Sequence, residues 1–223
     1  MEDLFGASAF HMADVGGKTS SYRRALAMGR IMVGATAFAH IRDQTLPKGD
    51  VLKIAEMAGI TGAKKTADLI PLCHPLPLDH VAIRLLLEPE TNSVAVYAMV
   101  ACFAKTGVEM EALSAVNGAL LTLYDLTKPV EPALRLCDIS LLLKEGGKSG
   151  TWIRPEGLPD VVAGLVKTAA ARPLEGVNCA VLTLSDRAFS GTYSDRSGPA
   201  LSAALQGLGA RIVVSEILPD DQD

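Results

Sequence analysis

Three groups of residues have types and spacings that could do chemistry. The first is LIPLCHPLPLDH, Leu69 to His80, which holds two of the four histidines, one of the four cysteines and three of the twelve prolines. Prolines this dense forbid a helix and fix φ, so the stretch reads as a rigid loop. Such a loop can present backbone N–H groups and the His74 imidazole to a small ligand. The plainer reading of His74 is a hydrogen-bonding surface or core histidine. Cys73 and His74 are poor partners for one metal, because neighbouring side chains on extended backbone diverge. No metal site is expected here, and His80 is expected to open a strand.

The second group lies on one long apolar-periodic run, Thr106 to Lys128. Glu109 and Glu111 sit in its first turn, where carboxylates also suit the helix dipole. Asp125 and Lys128 sit at i and i+3 in its last turn, the spacing of an ordinary ion pair. Fourteen residues separate Glu111 from Asp125, about 21 Å of helix rise. The two ends cannot reach one reacting atom of a small substrate within one chain. If both are functional, either the ligand is long or a symmetric neighbour completes the site.

The third group is lysine. Lys48, Lys64, Lys65, Lys105, Lys128, Lys144 and Lys148 fall in the first 150 residues, mostly at element ends. That segment still holds 15 basic and 16 acidic residues, so local clustering would have to attract an anion. EGGKSG, Glu145 to Gly150, fails as a phosphate loop because Leu142 stands where the first glycine is required. Two readings stay open for it: a flexible turn, or Lys144 and Lys148 reaching an anionic ligand.

Bulk properties narrow the function. At 223 residues, 49% hydrophobic and net charge −4, the chain can bury a sizeable core and has no basic surface for nucleic acid. No apolar run is long enough to span a bilayer, and MEDLFGASAF lacks the basic start of a signal peptide. Cys73, Cys102, Cys137 and Cys179 are scattered without a CxxC pair, so reduced thiols and a cytoplasmic location are expected.

The elements that must position these groups alternate between helix and strand. Residues 1 to 10 read as a loose tail, Tyr22–Val33 as a strand and Ala35–Ile41 as a short helix. Lys48–Ile70 reads as helix capped by Asp50 and interrupted near Gly59 and Gly62. His80–Leu87 and Ser93–Ala104 form a hairpin around Pro89 and Asn92. After the long helix, ended by Pro129, Leu134–Lys144 is a further strand. The mixture indicates an α+β domain. Beyond Gly150 the composition changes. A short helix at Asp160–Ala171 precedes an Asn178–Leu184 strand, a Pro199–Leu208 helix and an Arg211–Leu218 strand, a βαβ unit that cannot cover its own sheet.

MADVGGK, KGDVLKIAEMAGITGAKKTADLIPLCHPLPL, KTGVEMEALSAVNGALLTLYDLTK and LLKEGGKSG closely resemble the molybdenum cofactor biosynthesis accessory protein C family, the cyclic pyranopterin monophosphate synthases. The resemblance covers Met12 to Gly150. It implies a ferredoxin-like α+β domain at 1–150, assembled as a homohexamer, a trimer of dimers, with sites between subunits. The implied reaction turns 3′,8-cyclo-7,8-dihydroguanosine triphosphate into cyclic pyranopterin monophosphate and diphosphate. Motif by motif, it places Leu72, Cys73, His74, Glu109, Met110 and Glu111 on the substrate and Arg23 and Lys144 on the triphosphate. It makes Asp125, Lys48 and Lys128 catalytic. It implies no cofactor, with magnesium left open as a companion of the triphosphate. Clustered lysines lower one another's pKa, which would suit proton transfer. Thr127 stands where many relatives carry cysteine, and Pro129 directly follows Lys128. A non-catalytic pterin or nucleotide-binding assembly module is the alternative. Residues 151–176 read as a linker. Within 177–223, Ala180 to Ala210 resembles the start of the molybdopterin adenylyltransferase family, without that family's glycine-rich loop, so no adenylyltransferase activity is expected.

Overall fold

A computed structural model describes residues 10–148, 150–169, 174 and 176–220. The tail expected at residues 1 to 10 lies almost wholly outside them, as does part of the expected linker. The chain divides into two compact units, Met1–Leu158 and Pro159–Asp223.

The first unit is a mostly antiparallel sheet with helices on one face. Strand β1 (Ser21–Met32) leads into helices α1 (Gly34–Arg42), α2 (Val51–Lys64) and the single turn α3 (Thr66–Leu69). The proline loop then delivers β2 (His80–Glu88). Asn92, in the left-handed region at φ 47°, turns the chain into β3 (Ser93–Ala104). Helix α4 (Glu109–Thr127) crosses back to β4 (Arg135–Glu145), followed by the two-residue β5 (Trp152–Ile153). The strand order is β2-β3-β1-β4-β5, antiparallel throughout, with bulges where β1 meets β4.

Strand alternation decides which residues face the helices. Ala25, Ala27 and Ile31 of β1 and Val94, Val96, Ala98 and Val100 of β3 face the helices. They meet Ala112, Ala115, Val116, Ala119, Leu120 and Leu123 of α4; of the stripe read from helical spacing, Leu113, Val116, Leu120 and Leu123 or Tyr124, the residues Leu113 and Tyr124 are only partly buried against this core. Each fully buried aliphatic side chain of this size contributes ~1.5–3 kcal/mol. On the other sheet face, Tyr22 pairs in register with Phe103, and the two are 56% and 63% exposed.

Asp50 caps α2 as expected, its Oδ1 accepting from the Lys53 N–H at 3.2 Å. The expected interruption near Gly59 and Gly62 is absent, and the helix runs unbroken to Lys64 before turning at Lys65. The glycines serve packing. A Cβ on Gly62 would lie 2.6 Å from the Ser114 carbonyl oxygen of α4, and one on Gly118 would lie 2.8 Å from that of Ala58. Helices α2 and α4 therefore touch backbone to backbone.

In the second unit, helix α5 (Asp160–Ala169) precedes β6 (Asn178–Leu184), the turn α6 (Asp186–Phe189), α7 (Ser197–Gly207) and β7 (Arg211–Leu218). The expected continuation of α5 to Ala171 lies outside the described residues. Strands β6 and β7 pair in parallel, the βαβ arrangement read from the sequence. Among the described residues no helix is long and apolar enough to cross a membrane.

Candidate functional site

The proline loop and the start of α4 meet. Leu72, Cys73 and His74 line a cavity of about 380 Å³ with Glu109, Met110 and Glu111, so six residues named from motifs share one wall-to-wall space. The prolines hold the loop open, and Gly107 and Val108 turn β3 into α4. His74 Nε2 donates to the Ala13 carbonyl at 2.8 Å, which places the proton on that nitrogen. Glu111 is 4% exposed, and this burial pushes its carboxyl above the ordinary range, with the charge of Glu109 adding to the effect. Burial and then the Glu111 charge raise the Cys73 thiol. Behind the wall, burial pushes Cys102 up to about 11. Both thiols therefore stay protonated near neutral pH and serve as wall rather than nucleophile.

A second cavity, about 720 Å³, opens beside the first and shares Lys18, Thr106 and Gly107 with it. Its lining brings together Lys18, Arg23, Lys105 and Lys148, four cations with no carboxylate among the described lining residues. Arg23 donates through Nη2 to the Lys105 carbonyl at 3.3 Å, and its Nε is buried without a partner among the described residues. EGGKSG finds its structural reason here. Gly146 and Gly147 take positive φ values of 97° and 74°, and a Cβ on either would collide with the Tyr22 carbonyl or the Arg23 guanidinium. The turn brings Lys148 to the cavity. Lys144 pairs instead with Glu109, Nζ to Oε1 at 3.3 Å, on the rim between the two spaces. A cavity of this kind suits several negative charges. It offers a magnesium ion none of the carboxylates that usually hold one, so it does not fit a protein-held magnesium.

Asp125, Lys48 and Lys128 stand apart from both cavities, at the far end of α4. Lys128 Nζ lies 2.7 Å from Asp125 Oδ1 and Lys48 Nζ 3.4 Å from Oδ2, all three side chains about half exposed. The lysines hold Asp125 below the usual carboxylate range, Lys128 most strongly. Lys128 itself is raised by its hydrogen bond and charge contact with Asp125. This is opposite to the lowering expected of clustered lysines, because a carboxylate sits between them. The chain thus gathers eight of the eleven named residues at one end of α4 and three at the other, as the helix-length argument requires.

Lys18 was missed as a site residue, although MADVGGK was singled out. Lys105 and Lys148 were noted only as lysines. The signal available for Lys18 was its place beside Gly16 and Gly17, and fold alone brings it to β3 and α4.

Comparison with known proteins agrees with the motifs that supplied these residues. The MoaC family model matches residues 12–147, more than half of the chain. The chain belongs to the MoaC family. It is 47% identical over 152 residues to the cyclic pyranopterin monophosphate synthase of Chloroflexus aurantiacus, covering 68% of this chain and 93% of that one. It is 51% identical over 142 residues to the synthase of Cereibacter sphaeroides, covering 64% and 89%. The molybdenum cofactor biosynthesis bifunctional protein of Synechococcus elongatus matches 94% of this chain at 43% identity, and the matched region spans 64% of that protein's length. That match runs past the family domain into the second unit, consistent with a fusion.

Proposed function

We propose that this chain converts 3′,8-cyclo-7,8-dihydroguanosine triphosphate into cyclic pyranopterin monophosphate and diphosphate in molybdenum cofactor biosynthesis. The observation that carries the reading is the pair of joined cavities, one half-apolar with carboxyls, the other cationic. A purine-derived ring system with a triphosphate tail needs both, side by side. Leu72, Met110 and the Cys73 thiol give the ring an apolar wall, while His74, Glu109 and Glu111 meet its polar edge. Arg23, Lys105 and Lys148 hold the triphosphate and stabilise the leaving diphosphate, with Lys144 on the rim.

Asp125, Lys48 and Lys128 enter from a neighbouring subunit. The ion pair keeps Lys128 an ammonium and Asp125 a carboxylate, so Lys128 acts first as proton donor and Asp125 as acceptor. The exposed Tyr22–Phe103 pair supports a subunit contact there, as in a homohexamer built as a trimer of dimers, since exposed aromatic side chains gain from a cover. The strand order β2-β3-β1-β4 with its two helical crossovers supports a ferredoxin-like domain at 1–150. A linker at 151–176, a partial α/β segment at 177–223 and a cytoplasmic location complete the proposal.

The test is turnover. The purified protein is expected to consume the cyclic guanosine triphosphate derivative and release one diphosphate per pterin formed. Lys48→Ala and Asp125→Asn are expected to abolish this while leaving the fold intact. Full activity in either variant refutes the site assignment, and no turnover by the wild-type chain refutes the function.

A further inference from the structure

Lys18 lines both cavities, whereas Lys148 lines only the cationic one and its rim. Among the described residues neither ammonium has an ion-pair partner, so both are available to an anion. Lys105 gives one of its three N–H donors to the Gly16 carbonyl at 2.8 Å, and Lys144 pairs with Glu109. The backbone that presents Lys18 is held as well. The turn that carries it, closed by the Lys18 N–H on the Val15 carbonyl at 3.1 Å, is pinned at Ala13 by His74 and at Gly16 by Lys105. Two side chains from the two cavities thus hold one short stretch of backbone over the junction between them.

We infer that Lys18 grips the phosphate attached to the sugar, the one retained in the product, while Lys148 grips the departing end. The inference rests on the proposed function and adds a division of labour. A ligand with its ring against Cys73 and its tail among the cations must pass its first phosphate across the junction. The reaction needs the two ends handled differently. A substrate hydroxyl oxygen forms a bond to the first phosphorus, and the bond from that phosphorus to the bridging oxygen breaks. Diphosphate leaves with the electron pair, and the hydroxyl proton passes to a base. A cation on the retained phosphate fixes the electrophile for attack, and cations on the outer two stabilise the leaving group.

Binding to the whole 223-residue chain separates these roles without turnover. The probes are guanosine monophosphate, which has only the retained phosphate, and inorganic diphosphate, which has only the departing pair. Lys18→Met is expected to weaken guanosine monophosphate binding about tenfold, the size of one charge-assisted hydrogen bond, and to leave diphosphate binding within about twofold. Lys148→Met is expected to do the reverse, and Lys18→Arg to retain most of the affinity. Equal losses for both probes in Lys18→Met, no loss for either, or no binding of guanosine monophosphate by the wild-type protein overturns the inference. Absence of turnover with this binding pattern intact would count against the proposed reaction and not against the placement of Lys18.

Discussion

Gly62→Ala tests the packing that positions both ends of α4. The added Cβ would stand 2.6 Å from the Ser114 carbonyl oxygen, a backbone atom that cannot rotate away. Ordinary contact begins near 3.4 Å, so the helices must part by the difference, 0.8 Å. Overpacking of this kind costs ~1–3 kcal/mol, and replacing glycine within a helix returns ~1 kcal/mol. The net expectation is a loss of about 1 kcal/mol, or a fall of about 2–4 °C in the Tm of the first unit. The functional effect should be larger. Glu109, Glu111 and Asp125 ride on α4, and a displacement near 1 Å at a reacting centre costs on the order of a hundredfold. Gly59→Ala is the control. Its Cβ would meet Ile83 Cγ1 at 3.0 Å and Cδ1 at 3.1 Å, side-chain atoms that can move aside, and the Ala115 carbonyl oxygen only at 3.2 Å. Thermal melts and diphosphate-release kinetics on both variants decide the matter. A Gly62→Ala protein as stable and as active as wild type would refute the close-packing account.

Glu111→Gln should raise Tm at pH 7 to 8 and have little effect near pH 4. The buried carboxyl titrates above its unfolded value, so its ionisation costs stability as pH rises through that interval; an equal effect at both pH values would contradict this. Asp50→Ala should cost ~1 kcal/mol in a denaturant melt and Asp50→Asn much less, because asparagine keeps a capping oxygen. Thr127 is fully buried and its Oγ1 has no partner among the described residues, so Thr127→Val should stabilise by ~1 kcal/mol, and a loss of stability would reveal a partner for the hydroxyl.

Much of the fold was legible because its core elements are apolar runs, one of them at helical spacing. The apolar, β-favouring run Ser93–Ala104 and the stripe Leu113, Val116, Leu120 and Leu123 or Tyr124 located a strand and a helix to within a few residues. Gly59 and Gly62 were misread as a break because local propensity cannot report a neighbouring backbone, and the value of these glycines lies in the touch of α2 on α4. The loop residues Leu72, Cys73 and His74 were legible through their prolines and motif. Lys18 was not, since a cation on irregular backbone has no periodic signature and gains its meaning from His74 and Lys105, 56 and 87 positions away in the chain. The separation of Glu111 from Asp125 was readable from helix rise alone.

That separation carries the central claim, that each site takes its ring and phosphate cavities from one subunit and Asp125 from another. Mixing two inactive variants tests it most directly. His74→Ala damages the first part and Asp125→Asn the second. After dissociation and random reassembly at equal concentrations, sites shared between subunits should regain about a quarter of wild-type turnover, since each intact half is drawn independently. A mixture as inactive as its components would place the whole site within one chain and contradict the account.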